Sequence, residues 1–292
     1  MTYGCPNPEC QFFEKKDHIV NDGTYFRNND SRVIKRFRCK SCGKRFSSAT
    51  FSSAKGQKKR RINETLKLLL SSGVSMRRSA LLLHIHRTTV HRKLIFLAKE
   101  SNSSHAKFLD SLKTVPAVHI QFDDLITIEH TKLKPLTISL AVDRDTRKVL
   151  GAEVGQIPSF GKLAEKSRKK YGYRKCYHVK TMKRLFSKIK PSIASDALLE
   201  SDEHPHYPGI VKTFFKNAKH ETYKGGRGCV VGQGELKQLK YDPLFTLNHT
   251  CAMFRANINR LIRKTWCTTK DPQMLQKHID IFIDYYNNTL LA

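Results

Sequence analysis

The chain has 292 residues, and its 54 lysine and arginine residues outnumber its 25 aspartate and glutamate residues, for a formal net charge of +29 at pH 7. A chain of this length can bury a core and form more than one domain. Charge of one sign on this scale opposes compaction and favours a polyanionic partner, so nucleic acid is preferred over a ribosome-like or membrane-surface role. No apolar run is long enough to cross a membrane, and we expect no membrane partner.

Four of the eight cysteines form two close pairs near the start of the chain: Cys5 and Cys10 in a C-x4-C pattern, Cys39 and Cys42 in a C-x2-C pattern. Four thiolates complete a tetrahedral zinc site, and so short a segment has too little apolar surface to fold without one. We therefore predict a zinc ribbon at residues 1–54, with a hairpin between the pairs and structural Zn²⁺. The alternative is two disulfides in a secreted protein. The lack of a signal peptide and the scattered other cysteines favour reduced thiols and a cytoplasmic, nucleoid-associated protein.

Residues 55–104 are predicted to form a helix-turn-helix DNA-binding domain. Apolar residues recur there at helical spacing in three stretches, which are separated by Ser71-Ser-Gly73 and by a turn at His84-Ile-His86. The start of the third helix carries side chains that can reach bases and phosphates: Arg87, Thr88, Thr89, His91 and Arg92. The alternative is an ordinary three-helix packing unit. We interpret Ser101–Ser104 as the start of a linker to the next domain.

Residues 105–292, the candidate catalytic domain, alternate short apolar runs with polar turns, which predicts an α/β domain whose first three strands form an antiparallel meander. The predicted strands lie at residues 117–122, 136–142, 149–154, 198–202 and 221–223. The segment 162–190 has 12 lysine and arginine residues and a single glutamate. It is too charged to be core, and we interpret it as a DNA-facing insertion followed by a helix.

Aspartates close the first and fourth of these strands, at Asp123 and Asp202. Two carboxylates on neighbouring strand ends repel each other unless a cation lies between them. Mg²⁺ prefers hard oxygen ligands, and phosphodiester cleavage commonly uses two divalent ions about 3.5–4 Å apart. The pattern therefore predicts Mg²⁺ (or Mn²⁺) at Asp123 and Asp202, and phosphoryl transfer on DNA.

Several other residues compete for roles at this site. Asp196 is an alternative to Asp202 as the second carboxylate, although the Pro-x-Tyr that follows Asp202 favours Asp202. Asp124 is expected to support the ligands from behind rather than to bind metal. Glu235, in a glycine-flanked loop, is an alternative source of a carboxylate. The glycine-rich loop 225–228 lacks the ending of a nucleotide P-loop and is expected to be a plain turn.

From Ala117 to Asn287 the sequence resembles transposases of the insertion-sequence-one type, which have a catalytic Asp-Asp-Glu (DDE) site. Asp123-Asp124 is similar to the family's Asp-Glu after strand one, and Ser201-Asp-Glu-His-Pro-His-Tyr207 to its Thr-Asp-x-x-Pro-x-Tyr after strand four. In the family's final catalytic helix, a glutamate is followed seven residues later by an arginine. This chain keeps the arginine, as Arg255, and has Asn248 in place of the glutamate.

The resemblance implies an RNase-H-like mixed sheet flanked by helices, preceded by a zinc ribbon and a helix-turn-helix. It also implies a DNA transposase that binds the ends of an insertion sequence, cuts them and joins them to target double-stranded DNA, as a homodimer or larger assembly. Asp123, Asp202 and Asn248 would then hold the metal, and Arg255 would contact a phosphate. His249 points about 100° away from Asn248 around the helix, so it is given a supporting role at most.

Asn248 offers a neutral carbonyl oxygen, so we expect weaker metal binding than at a site with three carboxylates. This substitution keeps a second class of function open: a non-catalytic DNA-binding protein, such as a repressor or a decayed transposase. A nuclease of the same fold, which would cut DNA without joining it, is a third.

Overall fold

The computed structural model describes residues 3–224, 242–262 and 266–291. The chain divides into two compact units, residues 1–65 and residues 66–292. Glu235 and the loop 225–228, which the sequence singles out, lie outside the described residues.

The first unit is built on a small antiparallel sheet with strand order β1-β2-β3. Its strands are β1 (Ile19–Arg27), β2 (Arg32–Cys39) and β3 (Arg45–Ser47). β1 and β2 form the hairpin predicted between the two cysteine pairs, which is confirmed. After β2 the chain turns at Gly43, where φ is +70°, and the Gly43 amide donates to the Cys39 carbonyl at 3.0 Å. Glycine adopts this left-handed conformation without strain, so it permits the tight turn at Cys39 and Cys42.

The three helices predicted within residues 55–104 are present: α1 (Asn63–Leu70), α2 (Met76–Leu82) and α3 (Arg87–Ser111). α3 is much longer than expected. The interpretation of Ser101–Ser104 as a linker is wrong, and α3 crosses the predicted domain boundary at residue 104. The reason is that buried positions continue along one face through Ser101, His105 and Leu109. The ring nitrogen Nε2 of His105 lies 2.9 Å from the Leu150 carbonyl oxygen, so a polar residue is satisfied inside the core.

The second unit contains a five-stranded mixed sheet with strand order β6-β5-β4-β7-β8. Its strands are β4 (Ala117–Ile128), β5 (Pro135–Asp143), β6 (Val149–Gln156), β7 (Ile193–Asp202) and β8 (Lys219–Tyr223). β4, β5 and β6 are antiparallel, so the predicted meander is confirmed. β7 pairs parallel with β4, and β8 pairs parallel with β7.

Helices cover both faces of this sheet: α4 (Ala164–Tyr171), α5 (His178–Ile189), α6 (Tyr207–Phe214), α7 (Phe245–Asn257) and α8 (Pro272–Tyr285). One core lies between the sheet and α7 and α8, and it contains Ile138, Phe254 and Phe282. The other core lies between the sheet and α5 and α6, and it contains Phe122 and Phe186. The fold is thus mixed α/β, with a mixed sheet. None of the described helices is both long and apolar enough to span a membrane.

Two glycines on β6 allow α5 to approach the sheet closely. A Cβ atom built on Gly155 would lie 2.0 Å from Thr181 Oγ1, and one built on Gly151 would lie 2.8 Å from a methyl carbon of Leu185. Both separations are shorter than atoms tolerate, so any larger residue would push α5 outwards. This close packing fixes α5, whose first residue, His178, reaches the acidic site described below.

Candidate functional site

The four cysteines of the first unit converge on one point. Their sulfur atoms all lie within 4.8 Å of one another, and within the described ranges no other set of three or more His, Cys, Asp or Glu residues meets this condition. The Sγ atoms of Cys5 and Cys42 are 3.6 Å apart, and those of Cys10 and Cys39 are 3.9 Å apart. A tetrahedral zinc ion with Zn–S bonds of about 2.3 Å has sulfur atoms separated by roughly 3.8 Å. The spacing fits zinc and is too long for disulfides, which need about 2.05 Å.

Asp123 lies in the middle of β4 rather than at its end. The prediction that the first strand stops before the aspartates is wrong, because β4 stays paired with β5 as far as Ile128 and Pro135. The parallel partner β7 behaves differently, since its pairing with β4 ends at Gln121 and Glu200. Beyond that pair, the edge of β4 is open at Asp123.

The register of β4 and β7 puts Asp123 and Asp202 at corresponding positions of neighbouring strands. Gln121 and Glu200 are the last paired residues, and their side chains meet with Gln121 Nε2 2.9 Å from Glu200 Oε2. Asp123 and Asp202 each follow two residues later. Because side chains alternate between the faces of a sheet, both aspartates point to the side that carries the Gln121–Glu200 contact.

The two aspartates interact electrostatically. Burial, followed by the negative charge of Asp202, raises the pKa of the Asp123 carboxyl to about 6. A hydrogen bond from the Asp124 amide to Asp123 Oδ1, at 2.6 Å, acts in the opposite direction and is outweighed. Asp123 therefore binds a proton at a pH where an ordinary aspartate is ionised, which is the behaviour expected of a carboxylate that lacks its counter-charge.

Asp124 is held by other side chains. Its Oδ1 accepts hydrogen bonds from the hydroxyls of Thr137 at 2.5 Å and Ser139 at 2.7 Å, and its Oδ2 is bonded by the His178 imidazole. Burial alone would raise the pKa of Asp124, but the hydrogen bond and positive charge of His178 lower it. In turn, the hydrogen bond to Asp124 raises the pKa of His178. With its oxygens occupied in this way, Asp124 is better suited to support the site than to bind a metal.

Tyr207 links the two neighbouring aspartates. Its hydroxyl lies 3.0 Å from Asp123 Oδ1 and 2.7 Å from Asp124 Oδ2. Tyr207 is fully buried at the start of α6, and burial raises the pKa of its phenol, which stays protonated. Its hydroxyl group can thus donate to Asp123 Oδ1 and leave Asp123 Oδ2 for another partner. Tyr207 is the tyrosine of the Pro-x-Tyr pattern, but the sequence does not reveal which carboxylates it contacts.

Gln121 and Glu200 connect the acidic site to α7. The Gln121 amide nitrogen donates to the Pro243 carbonyl at 2.7 Å, and its amide oxygen accepts from the Leu247 amide at 3.0 Å. Glu200 is 1% exposed and also accepts from Arg144 at 3.3 Å. This buried polar network joins β4, β7 and the first turn of α7, so it sets the position of Asn248 relative to the aspartates.

Asn248 and Arg255 lie on α7, as predicted, two turns apart. The Asn248 side chain is exposed, and its amide nitrogen donates to Asp242 Oδ2 at 2.9 Å. Cys251 lies between these two residues on α7, and the charges of Asp123 and Arg255 both affect the pKa of its thiol. Burial, followed by the charge of Asp123, raises the pKa of Cys251 to about 12, while the charge of Arg255 acts to lower it. This face of α7 therefore turns towards Asp123.

Asp196, the alternative second carboxylate, lies at the other end of β7. It is exposed, within the irregular stretch between the pairs Ala117–Ile193 and His119–Leu198. Asp202 lies six positions further along the strand, a distance of about 20 Å. Asp123 and Asp196 therefore do not share a site.

The residues predicted to contact DNA lie at the start of α3. Arg87, Thr88, His91 and Arg92 are exposed, and Thr89 is half-buried. His86 caps this helix by accepting from the Thr88 amide at 3.3 Å, and its Nδ1 lies 2.8 Å from the Thr88 hydroxyl. The Thr88 side chain therefore has a structural role in the turn, and the other exposed side chains are freer to reach outwards.

Sequence reasoning missed four residues of this site: Gln121, His178, Glu200 and Tyr223. The Tyr223 hydroxyl donates to Glu200 at 3.0 Å and to Glu221 at 2.9 Å. A polar residue in the middle of an apolar strand, as at Gln121, was the available signal, since such residues are buried only with partners.

No protein-family model matches the sequence, and no curated protein matches it.

The cysteine cluster yields a first prediction. Cys39→Ser, or removal of zinc by a chelator, should unfold residues 3–54, because this segment has few buried apolar residues besides the cluster. NMR spectra with metal analysis would show one zinc ion per wild-type chain and loss of dispersed signals in the variant. Cys176→Ser, at an exposed cysteine outside the cluster, should change neither. A folded ribbon without bound zinc would contradict the assignment.

The raised pKa of Asp123 yields a second prediction. In the absence of divalent ions, the ionised Asp123 carboxylate destabilises the folded protein above pH 6, and this cost disappears as pH falls towards the ordinary aspartate value near 4. Asp123→Asn should therefore increase the free energy of unfolding at pH 7.5 by about 1–3 kcal/mol, and by nothing near pH 4. Urea denaturation in metal-free buffer measures this difference.

Asp196→Asn, at an exposed aspartate of the same sheet, is the matched control and should be neutral at both pH values. If Asp123→Asn gives no gain at pH 7.5, or a gain that persists at pH 4, then Asp123 is not a strained carboxylate.

Proposed function

We propose that the chain is a DNA transposase of the insertion-sequence-one type, with an RNase-H-like catalytic domain. The observation that carries the proposal is the parallel register of β4 and β7, which leaves Asp123 and Asp202 side by side beyond Gln121 and Glu200. The strand order, with three antiparallel strands followed by two parallel ones and helices on both faces, is consistent with the fold that the sequence resemblance implies.

Asp123 and Asp202 are the residues that would hold Mg²⁺ or Mn²⁺, and the carboxylate oxygens suit these hard cations. Such an ion supplies charge neutralisation for the attacking and leaving oxygens of a phosphodiester. The chain's own residues prepare the site: Tyr207 and the Asp124 amide bind Asp123 Oδ1, and the Gln121–Glu200 pair fixes the spacing of the two strands. The raised pKa of Asp123 means that protons compete with the cation below about pH 6.

Asn248 and Arg255 complete the proposed site from α7. The Asn248 amide nitrogen is engaged by Asp242, which orients the side chain and leaves its carbonyl oxygen as the metal-binding atom. Arg255, two turns further along, would hold a phosphate oxygen with its guanidinium group. In this role the two residues place the scissile phosphate between α7 and the two aspartates. The reaction is cleavage at the ends of the element, followed by in-line attack of the freed 3′-hydroxyl on target DNA, without a covalent protein intermediate.

The proposed DNA-binding parts are the N-terminal ribbon and the helices α1–α3 acting as a helix-turn-helix. The exposed side chains of Arg87, His91 and Arg92 at the start of α3 support this role, because a recognition helix presents its N-terminal residues to the base edges. The net charge of +29 supports duplex DNA as the partner of the whole chain.

One observation favours a second candidate function. Asn248 is exposed and hydrogen-bonded to Asp242, whereas the usual third ligand is a carboxylate. If this amide does not bind metal, the chain would be a non-catalytic DNA-binding protein, such as a repressor that still recognises element ends.

The proposal predicts that Asp202→Ala abolishes cleavage and strand transfer but leaves specific DNA binding unchanged, because Asp202 lies in the proposed metal site and far along the chain from α3. The substrate is a duplex that carries the short inverted repeats flanking the coding region in its own genomic DNA, incubated with Mg²⁺ or Mn²⁺. Asp196→Ala, at an exposed aspartate of the same strand, should retain both activities.

Three outcomes of this assay separate the hypotheses. Strand transfer by the Asp202→Ala protein would refute the assignment of the site. Specific binding by the wild-type chain without cleavage would support the non-catalytic protein instead. Cleavage without joining would indicate a nuclease of the same fold.

A further inference from the structure

The segment between β6 and α5 presents a dense group of cations to solvent. We define the α4 surface as the exposed side chains of Lys162, Lys166, Arg168, Lys169 and Lys170, with the exposed aromatic residues Phe160 and Tyr173. Glu165 is the single acidic residue between positions 158 and 177. Lysines three and four positions apart on a helix repel each other, and Glu165, four positions before Lys169, offsets this cost only in part.

Despite this charge, the segment is firmly attached to the second unit. The buried Ser167 hydroxyl donates to the Leu133 carbonyl at 2.7 Å, and the Lys134 ammonium lies 4.7 Å from the centre of the Tyr171 ring. Arg174, with a side chain that is 10% exposed, forms an ion pair with Glu129 at 3.2 Å. These contacts hold the segment against the connection between β4 and β5, while the side chains of the α4 surface stay exposed.

The position of these contacts relates the α4 surface to the proposed catalytic site. Glu129 follows β4 directly and lies six residues beyond Asp123. At the rise of a strand, this separation is about 20 Å. Duplex DNA rises about 3.4 Å per base pair, so roughly six base pairs span the same distance.

We propose that the α4 surface binds the backbone of duplex DNA roughly six base pairs from the phosphate that is cut. This inference rests on the proposed function for its reference point at Asp123. Charge complementarity selects the partner, and exposed aromatic residues among the cations are typical of surfaces that contact nucleic acid. The surface would hold the DNA beside the proposed metal site.

The test compares two triple variants of the full-length, zinc-loaded protein. One replaces Lys166, Lys169 and Lys170 with glutamine, which removes the charge and preserves helix propensity. The control replaces Lys107, Lys113 and Lys190 with glutamine; these lysines are also exposed and lie near the start of β4, at the opposite end from Glu129. That location follows from the Ser192–Leu109 hydrogen bond at 2.9 Å and the Ala117–Ile193 pair.

Affinity for a 40-base-pair element-end duplex would be measured at several salt concentrations. For each DNA phosphate that the protein no longer neutralises, the slope of log affinity against log salt should become shallower by about 0.9, and the affinity at 0.1 M salt should fall roughly tenfold. The slope should become shallower by about 2–3 in the α4 variant and by less than about 1 in the control. Equal changes in both variants, or an unchanged slope in the α4 variant, would overturn the inference.

Phosphate-ethylation interference on the same duplex then tests the location. Wild-type binding should be inhibited by ethylation roughly six base pairs from the cut, and the α4 variant should be insensitive there. If the protein does not cleave DNA, the proposed function fails, yet the salt slopes still report on the α4 surface. If it cleaves DNA and the interference lies elsewhere, the α4 inference alone fails.

Discussion

The parallel pairing of β4 with β7 is the constraint on which the rest of the acidic site depends. It ends at Gln121 and Glu200, whose side chains are hydrogen-bonded to each other inside the protein. Because the pairing stops there, the next outward position on each strand carries an aspartate beside an open strand edge. The same glutamine binds the backbone of Pro243 and Leu247, so the strands and the first turn of α7 are positioned by one buried network. A shift of one residue in this register would turn the two aspartates to opposite faces of the sheet.

Two features of the molecule are unfavourable in isolation and become favourable with a ligand of opposite charge. Asp123 is a partly buried carboxylate near another carboxylate, and its raised pKa reflects this unfavourable environment. The α4 surface, and the chain as a whole, carry far more positive than negative charge. A divalent cation would lower the first cost and a polyanion the second, and the proposed phosphoryl transfer on DNA would bring both ligands to this protein. Proteins commonly keep such costs where function requires them.

Much of the fold follows from local sequence pattern. Six of the nine residues of β5 are apolar and all nine are buried, and the spacing of Cys5, Cys10, Cys39 and Cys42 suffices to predict their convergence. The errors arise where polar residues are buried. Ser101–Ser104 resembles a linker but continues α3, where Asn102 donates to Asp280 and His105 meets the Leu150 carbonyl, both on elements distant in sequence. Gln121 and Glu200 are 79 positions apart, so their contact becomes visible only once β4 and β7 pair. The sequence identifies Asp123 and Asp202 as candidates, whereas the roles of Tyr207 and His178 need coordinates.

The central claim is that Asp123 and Asp202 jointly hold a divalent cation. Fe²⁺ can replace Mg²⁺ at oxygen-ligand sites, and with ascorbate and peroxide it generates radicals that cleave the nearest backbone. Mass spectrometry of the zinc-loaded protein after this treatment should find cuts close to residues 123 and 202, with a weaker cut near residue 248, and excess Mg²⁺ should suppress all of them. Cuts that avoid both aspartates, or cuts that Mg²⁺ does not suppress, would contradict the account.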